Sequence, residues 1–352
     1  MSSRRLPVFL VLDLSESMIG EDHRRLQEGL ADLVGTLKRD PQALETVYLS
    51  VIGFAGQART LVPLVELPSF YVPRLPVGSG TNLGKAMSHL MDQMDTQLRK
   101  ASPDQKGDWK PIIYLMTDGK PTDNIDAAVQ RWKDSYQSRA QLVAVGIGEH
   151  ASLTALKRFT DTTLMFANGN EQDFKKFISW ISQSVSVQSQ SVGMSSKHDD
   201  LPLAPFDDSF LKKIEVAASQ IIQDEDFVIV RGTCQKTKLP YLMKYEVAPP
   251  ELVQQLSPME RTQFVLTGVF PVEKDYTEWS ENNAIKSQIN SSLLVGAPGC
   301  PHCGNPIGFA ICSCGGIMCL SGPGPATCPV CNHEANFDFG EGAGIDVSRA
   351  KG

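Results

Sequence analysis

Along the first half of the chain, short unbroken apolar runs alternate with longer stretches in which apolar residues recur every three or four positions. Residues 7–12, 47–54, 111–116 and 142–147 are runs rich in Val, Leu and Ile, the pattern of strands buried on both faces. Between them, Leu26, Leu30, Leu33, Val34 and Leu37 make one helical stripe, and Leu83, Met87, Leu90, Met91, Met94 and Leu98 make another. Phe174, Phe177, Ile178, Ile181 and Val185 form a third. Strands alternating with helices predict an α/β domain, doubly wound, with a mainly parallel sheet between helical layers. Residues 179–200 then turn polar, through Ser-Gln repeats to Lys197, His198, Asp199 and Asp200, as at a helix end running into a linker. The expected domains are therefore 1–195 and 196–352. In the second, residues 206–223 read as helix and 227–231 as strand, and the Gly-, Pro- and Cys-rich residues 296–337 are too rich in glycine for helix. It is expected to be a smaller α+β domain carrying a zinc-ribbon-like module at about 296–340.

The 352 residues suit two domains, and 41% hydrophobic against 21% charged residues is an ordinary globular balance. With 33 Lys and Arg against 40 Asp and Glu, the net charge of −7 supplies no global field for a polyphosphate backbone or an anionic lipid surface. Asp13 interrupts the first apolar run too early for a secretion signal, and no run approaches the ~20 apolar residues of a membrane span. A cytoplasmic protein without nucleic-acid or membrane partners is expected.

The first strand runs into Asp13-Leu14-Ser15-Glu16-Ser17-Met18, and alternate positions in an extended loop point Asp13, Ser15 and Ser17 the same way. The strand at residues 111–116 runs into Thr117-Asp118-Gly119, so Asp118 should arrive beside Asp13 where a doubly wound sheet binds ligands. The loop Gly78-Ser79-Gly80-Thr81-Asn82 can aim the Thr81 hydroxyl into the same crevice. Two carboxylates and three hydroxyls are hard oxygen donors, suited to Mg²⁺ or Mn²⁺ rather than Zn²⁺. With only two negative charges facing it, the ion keeps a position for a carboxylate from another molecule. This set resembles the metal-ion-dependent adhesion site of the von Willebrand factor type A family, over roughly residues 5–190. The resemblance implies Ser15, Ser17 and Thr81 as hydroxyl ligands, Asp13 and Asp118 as carboxylates, and a partner's acidic residue as last ligand. Glu16 stands where that family commonly has a small residue, and if exposed its charge would repel such a partner.

Seven of the eight cysteines lie between residues 300 and 331, a metal cluster before a disulfide framework in a reducing compartment. Cys300-x-x-Cys303 and Cys328-x-x-Cys331, with twenty-four residues between them, read as two knuckles holding one structural Zn²⁺ by four thiolates. Cys312, Cys314 and Cys319 lie between, on a hairpin turning at Gly315-Gly316; they could hold a second ion, replace one knuckle, or pack as hydrophobes. One zinc is the favoured count, with His302 and His333 outside the ligand set and Cys234 a buried small hydrophobe. No lysine or arginine occurs between Lys286 and Arg349, so the module lacks the charge for phosphate contact and reads as structural or protein-docking.

A type A domain followed by this module, with the 227–232 and 240–246 strand patterns before it, resembles the TerY family of tellurium-resistance-associated proteins. The resemblance implies association with a protein kinase and a metal-dependent serine/threonine phosphatase in a stress-response phosphorylation triad. With no kinase or phosphatase motif of its own, the chain is expected to be a non-enzymatic adaptor that engages an acidic protein surface. Two alternatives differ in class: a metal-dependent hydrolase or phosphoryl-transfer enzyme, which a phosphatase assay with Mn²⁺ discriminates, and a nucleic-acid-binding zinc protein, which a salt-dependent gel shift would reveal.

Overall fold

The computed structural model describes residues 4–118, 120–147, 153–166, 171–191, 202–205, 211–213, 227–248, 262–281, 287–338 and 344–350. The chain forms two compact units, residues 1–219 (with 352) and 220–351. The expected boundary near residue 195 lies outside the described residues.

In the first unit, strands β1 (Leu6–Asp13), β2 (Val47–Phe54), β3 (Ala58–Glu66), β4 (Ile112–Thr117), β5 (Gln141–Ile147), β6 (Thr163–Phe166) and β7 (Leu211–Lys213) form one sheet of order β3-β2-β1-β4-β5-β6-β7. The five central strands run parallel and the two edge strands antiparallel. The helix expected over residues 206–223 is corrected in part: Leu211–Lys213 is extended and pairs with β6, and the rest of that stretch lies outside the described residues. Every residue of β1 and β4 is buried, which is why their sequences carry no polar alternation.

Helices α1 (Glu21–Leu37), α2 (Pro41–Thr46), α3 (Leu83–Gln97), α4 (Asp126–Ser135) and α5 (Glu171–Ser191) cover this sheet. Phe9 and Val11 of β1 share one core with Leu83, Met87, Leu90 and Met94 of α3 and with Val129 and Trp132 of α4. On the other side of the strand, Val8, Leu10 and Leu12 are buried as well, which requires a second helical layer. The pair α1 and α5 supplies it, meeting so closely at Gly29 that an added Cβ would lie 2.6 Å from Phe174 and 2.8 Å from Ile178.

The second unit is β-rich. Strands β8 (Phe227–Thr233), β9 (Pro240–Val247), β10 (Phe264–Pro271), β11 (Ser287–Asn290), β12 (Leu294–Val295), β13 (Ile307–Ile311), β14 (Ile317–Leu320) and β17 (Asp346–Arg349) form an eight-stranded sheet, and β15 (Gly324–Thr327) pairs with β16 (Glu334–Phe337). The hairpin β13–β14 attaches through a parallel contact of β14 with β8. Among the described residues of this unit, α-helix is represented by the single turn α6 (Tyr276–Trp279), with one 3₁₀ turn at Ser291–Leu293. No described helix is long and apolar enough to cross a membrane.

Candidate functional sites

Strands β1 and β4 are neighbours in parallel register, with Leu12 opposite Met116, so their last residues deliver side chains to one place. The Thr117 hydroxyl donates to Asp13 Oδ2, and the Ser15 amide donates to Asp13 Oδ1 at 2.9 Å. The Ser15 and Ser17 hydroxyls lie 2.8 Å apart. A bridge between Ser15 and Gly78, with the Gly78 amide on the Leu14 carbonyl at 3.0 Å, sets the loop that carries Thr81 alongside. Asp13 and Ser15 are fully buried, Thr81 is 1% exposed, Ser17 7% and Asp118 9%, so all five proposed ligands are shielded from bulk water.

Burial pushes the Asp13 carboxyl up to about 7 from its ordinary 3.8; the Asp118 charge adds to this, and hydrogen bonds from Ser15 and Thr117 oppose it. Thr81 Oγ1 is buried and has no hydrogen-bond partner among the described residues. Such a hydroxyl costs roughly 1–3 kcal/mol unless something takes up its lone pairs. Two buried carboxylates that repel each other and an unsatisfied buried hydroxyl are the donor set a hard dication would satisfy. Glu16, which an exposed position would make a repulsive charge, is fully buried instead. Gly119 lies outside the described residues.

Asp13 couples the stability of the first unit to pH with a definite sign. Its folded pKa lies above its unfolded value, so its contribution to ion-free stability is complete below about 4 and is lost as pH rises toward 7. The loss is on the order of 4 kcal/mol at most. Thermal scans in chelator should therefore show the first unit weakening from pH 5 to pH 8, Mg²⁺ should stabilise it far more at pH 8 than at pH 5, and Asp13→Asn should flatten both trends. A pH profile unchanged in Asp13→Asn would refute the assignment.

Thr122 carries no signal in the sequence beyond the weak likeness of Gly119-Lys120-Pro121-Thr122 to the tail of a phosphate loop. Its Oγ1 accepts the Thr81 amide at 2.9 Å and donates to Asn82 Oδ1 at 2.9 Å, while its own amide donates to the Thr81 carbonyl. Asn82 is held in turn on the Ala55 and Gly56 carbonyls, and the Asp123 carboxylate receives the Gly84 and Lys85 amides at the start of α3, an N-terminal capping interaction. Thr122 thus pins the loop that carries Thr81 to the segment that follows Asp118. Thr122→Val should weaken Mn²⁺ binding several-fold and Thr122→Ser should restore it, with the melting temperature changing by only a few degrees; calorimetric titration checks this, and equal affinities in all three proteins would dismiss the role.

In the second unit, the eight cysteines form two quartets. Cys234, Cys300, Cys303 and Cys319 make one and Cys312, Cys314, Cys328 and Cys331 the other, with all four sulfurs of each within 4.8 Å of one another. This corrects the expected single site: the Cys300–Cys303 and Cys328–Cys331 knuckles belong to different quartets, and Cys234 is a member of the first rather than a mere hydrophobe. Cys303 and Cys319 are 3.7 Å apart, and Cys312–Cys331 and Cys314–Cys328 are each 3.8 Å apart. A zinc ion with four sulfurs at about 2.3 Å demands tetrahedron edges of about 3.8 Å. A disulfide demands about 2.05 Å, so the sulfurs are spaced for an ion, and all eight cysteines are free thiols.

One turn recurs three times. The amides of Cys234, Cys300 and Cys328 donate to the carbonyls of Leu239, Asn305 and His333, five residues on, and the amides of Lys238, Gly304 and Asn332 donate back to the cysteine carbonyls. At the fourth residue after each cysteine the backbone is left-handed, with φ of 60° at Lys238, 74° at Gly304 and 59° at Asn332, which lifts the sulfur over the turn's amides. Thr237 and Val330 amides donate to Cys234 and Cys328 sulfurs at 3.4 Å, bonds that favour thiolate. Burial of Cys234 opposes ionisation, but hydrogen bonds from Thr237 and Lys236 prevail and lower it to about 6. Burial pushes Cys300 up to about 12. In the second quartet Cys312 falls to about 7, led by the Cys314 amide, while Cys314, despite the Gly316 amide, rises to about 12 through partial desolvation and its neighbouring cysteines. A first thiolate in each group thus opposes a second until a cation joins them. His302 Nε2 donates to the Pro240 carbonyl at 2.8 Å, and neither His302 nor His333 belongs to a quartet.

Comparison with known proteins agrees with these two halves. Residues 8–180 match the von Willebrand factor type A domain, and residues 224–352 match the TerY-C metal binding domain. None of the curated proteins matches the chain. Among solved structures, proximal thread matrix protein 1 from the mussel byssus is 16% identical, with 53% of this chain and 49% of that chain covered and a TM-score of 0.40. The same protein with a zinc-occupied MIDAS motif is 17% identical over 52% and 48%, with a TM-score of 0.39. BatB from Bacteroides thetaiotaomicron is 19% identical over 54% of this chain and all of that one, with a TM-score of 0.38. The chain thus spans about half the length of the mussel protein. With a type A domain over residues 8–180 and a TerY-C metal binding domain over 224–352, the chain belongs to the TerY family.

Proposed function

We propose that this chain is a non-enzymatic, metal-dependent adaptor that binds an acidic protein surface. Asp13, Ser15, Ser17, Thr81 and Asp118 would hold Mg²⁺ or Mn²⁺ as a metal-ion-dependent adhesion site, and the observation that carries this is the buried Thr81 hydroxyl, without a partner among the described residues, on the loop bridged to Ser15. When bound, the ion supplies a Lewis-acidic position for one incoming oxygen ligand. The chain's own part is to exclude water, to keep Asp13 and Asp118 close despite their repulsion, and to leave the dication short of neutral so that an Asp or Glu of a partner gains over water.

Each cysteine quartet would hold one Zn²⁺, replacing the single ion expected from spacing. Zinc in the first quartet would tie β14 and the β8–β9 turn to the Cys300–Cys303 knuckle, and zinc in the second would tie Cys312 and Cys314 to the Cys328–Cys331 knuckle. Family resemblance suggests a protein kinase or a metal-dependent phosphatase as the partner. Co-purification of the full chain, with and without EDTA, tests the proposal: a carboxylate-bearing partner should leave with EDTA and return with Mg²⁺ or Mn²⁺. Partner binding untouched by EDTA would place the docking surface elsewhere.

A further inference from the structure

The two quartets differ in what surrounds them. Cys234, Cys300 and Cys319 are buried and Cys303 is half-buried; they share a core with Val228, Tyr241 and Met243 of the main sheet. In the other quartet Cys312 and Cys328 are buried, but Cys314 and Cys331 are exposed, and the buried pair rests on a small cluster with Met318 and Leu320. The sulfur of each exposed cysteine lies 3.8 Å from that of a buried one, Cys331 beside Cys312 and Cys314 beside Cys328.

We propose that the Cys312, Cys314, Cys328 and Cys331 site is an oxidant-responsive zinc site that releases its ion on reaction with a hydroperoxide, while the Cys234, Cys300, Cys303 and Cys319 site keeps its own. The inference rests on the reading that each quartet holds zinc. Metal-bound cysteines are thiolates, and oxidation follows thiolate character together with access. The second quartet has two exposed cysteines, whereas the first offers only the half-buried Cys303. Its geometry also provides a resolving sulfur next to each attacking one.

The chemistry closes with hydrogen peroxide as oxidant. The Cys331 thiolate attacks one peroxide oxygen; an S–O bond forms, the O–O bond breaks and hydroxide leaves. The Cys312 thiolate then attacks the sulfur of that sulfenic acid and expels a second hydroxide, closing a disulfide. Two electrons have passed from the two thiolates to peroxide, and the zinc, left with two ligands, dissociates. Cys314 and Cys328 can repeat the sequence with a second peroxide, and a dithiol reductant reverses both steps.

The test uses the full chain, first assayed for two zinc ions, then exposed to hydrogen peroxide with a zinc-binding dye present and its disulfides mapped by mass spectrometry. One zinc per chain should leave at least about tenfold faster than the other, in line with the difference in access. The first disulfides should be Cys312–Cys331 and Cys314–Cys328, with the other four cysteines still reduced, and dithiothreitol plus zinc should restore the starting state. Both ions leaving at one rate, or first disulfides among Cys234, Cys300, Cys303 and Cys319, would overturn the proposal. A starting content below two zinc ions would defeat the underlying zinc assignment, a failure distinct from these and visible before any oxidant is added.

Discussion

Cys234→Ala should lower the zinc content from two ions per chain to one and unfold the second unit at temperatures where the first remains intact. As a buried hydrophobe, Cys234 would lose little in this change, about 1 kcal/mol for the volume removed. As one of four ligands it stands to lose much more, because structural zinc in small domains contributes on the order of 10–16 kcal/mol of apparent binding free energy to folding. The effect should be large because Cys234 is fully buried within the core of its unit, so an unligated pocket there weakens packing on both sides. Elemental analysis and two-transition thermal unfolding measure it. Two zinc ions retained by Cys234→Ala would return Cys234 to the role of a packing residue.

Thr81→Ala should do the opposite to stability and ligand binding. Without metal, the variant removes a buried hydroxyl that has no partner among the described residues, so the ion-free protein should melt at the same temperature as the wild type or a few degrees higher. Mn²⁺ affinity should nevertheless fall by about tenfold or more, about 1.4 kcal/mol or more for a lost ligand, and EDTA-sensitive partner capture should disappear. A stability gain paired with a binding loss is the signature of a residue retained for a ligand rather than for the fold. If Thr81→Ala keeps full Mn²⁺ affinity, the hydroxyl is not a ligand.

How much of the first unit is legible in its sequence depends on which constraints are local. Asp13, Ser15 and Ser17 stand out because they occupy alternate positions at the end of a wholly apolar strand, and strand period is a local property. Asp118 follows from the rule that ligands gather at strand ends, which the adjacency of β1 and β4 satisfies. Strand β3 leaves no such mark because it is an edge strand whose mixed exposure gives neither a clean alternation nor an unbroken apolar run, and β6 because it has only four residues. Helix α4 buries just Ala128, Val129 and Trp132, too short a stripe to read.

The grouping of the cysteines is hidden for another reason. Spacing says which two cysteines share a turn, but which turns share an ion depends on the sheet. Strand β14, set beside β8, brings Cys319 to Cys234 across eighty-four residues of chain. Cys234 carries the same turn as the two recognised knuckles but only one sulfur, and its left-handed residue is Lys238 rather than glycine. Without the second cysteine or a glycine, the turn leaves no mark in the sequence. Thr122 is invisible for a similar reason, since its contribution is three hydrogen bonds to a loop forty residues earlier.

In chain order the cysteines of the two quartets interleave: Cys234, Cys300 and Cys303 belong to the first, Cys312 and Cys314 to the second, Cys319 to the first again, and Cys328 and Cys331 to the second. During synthesis, a ribosome would therefore present five sulfurs before either set of four is complete. The first set closes when Cys319 emerges, the second twelve residues later, and until then Cys312 and Cys314 are free to capture an ion intended for their neighbours. In the folded chain β14 separates the two sets, since Cys319 joins the core of the main sheet while Met318 and Leu320 join the cluster of Cys312 and Cys328. A nascent chain stalled between Cys319 and Cys328 would be the place to catch a wrongly shared ion.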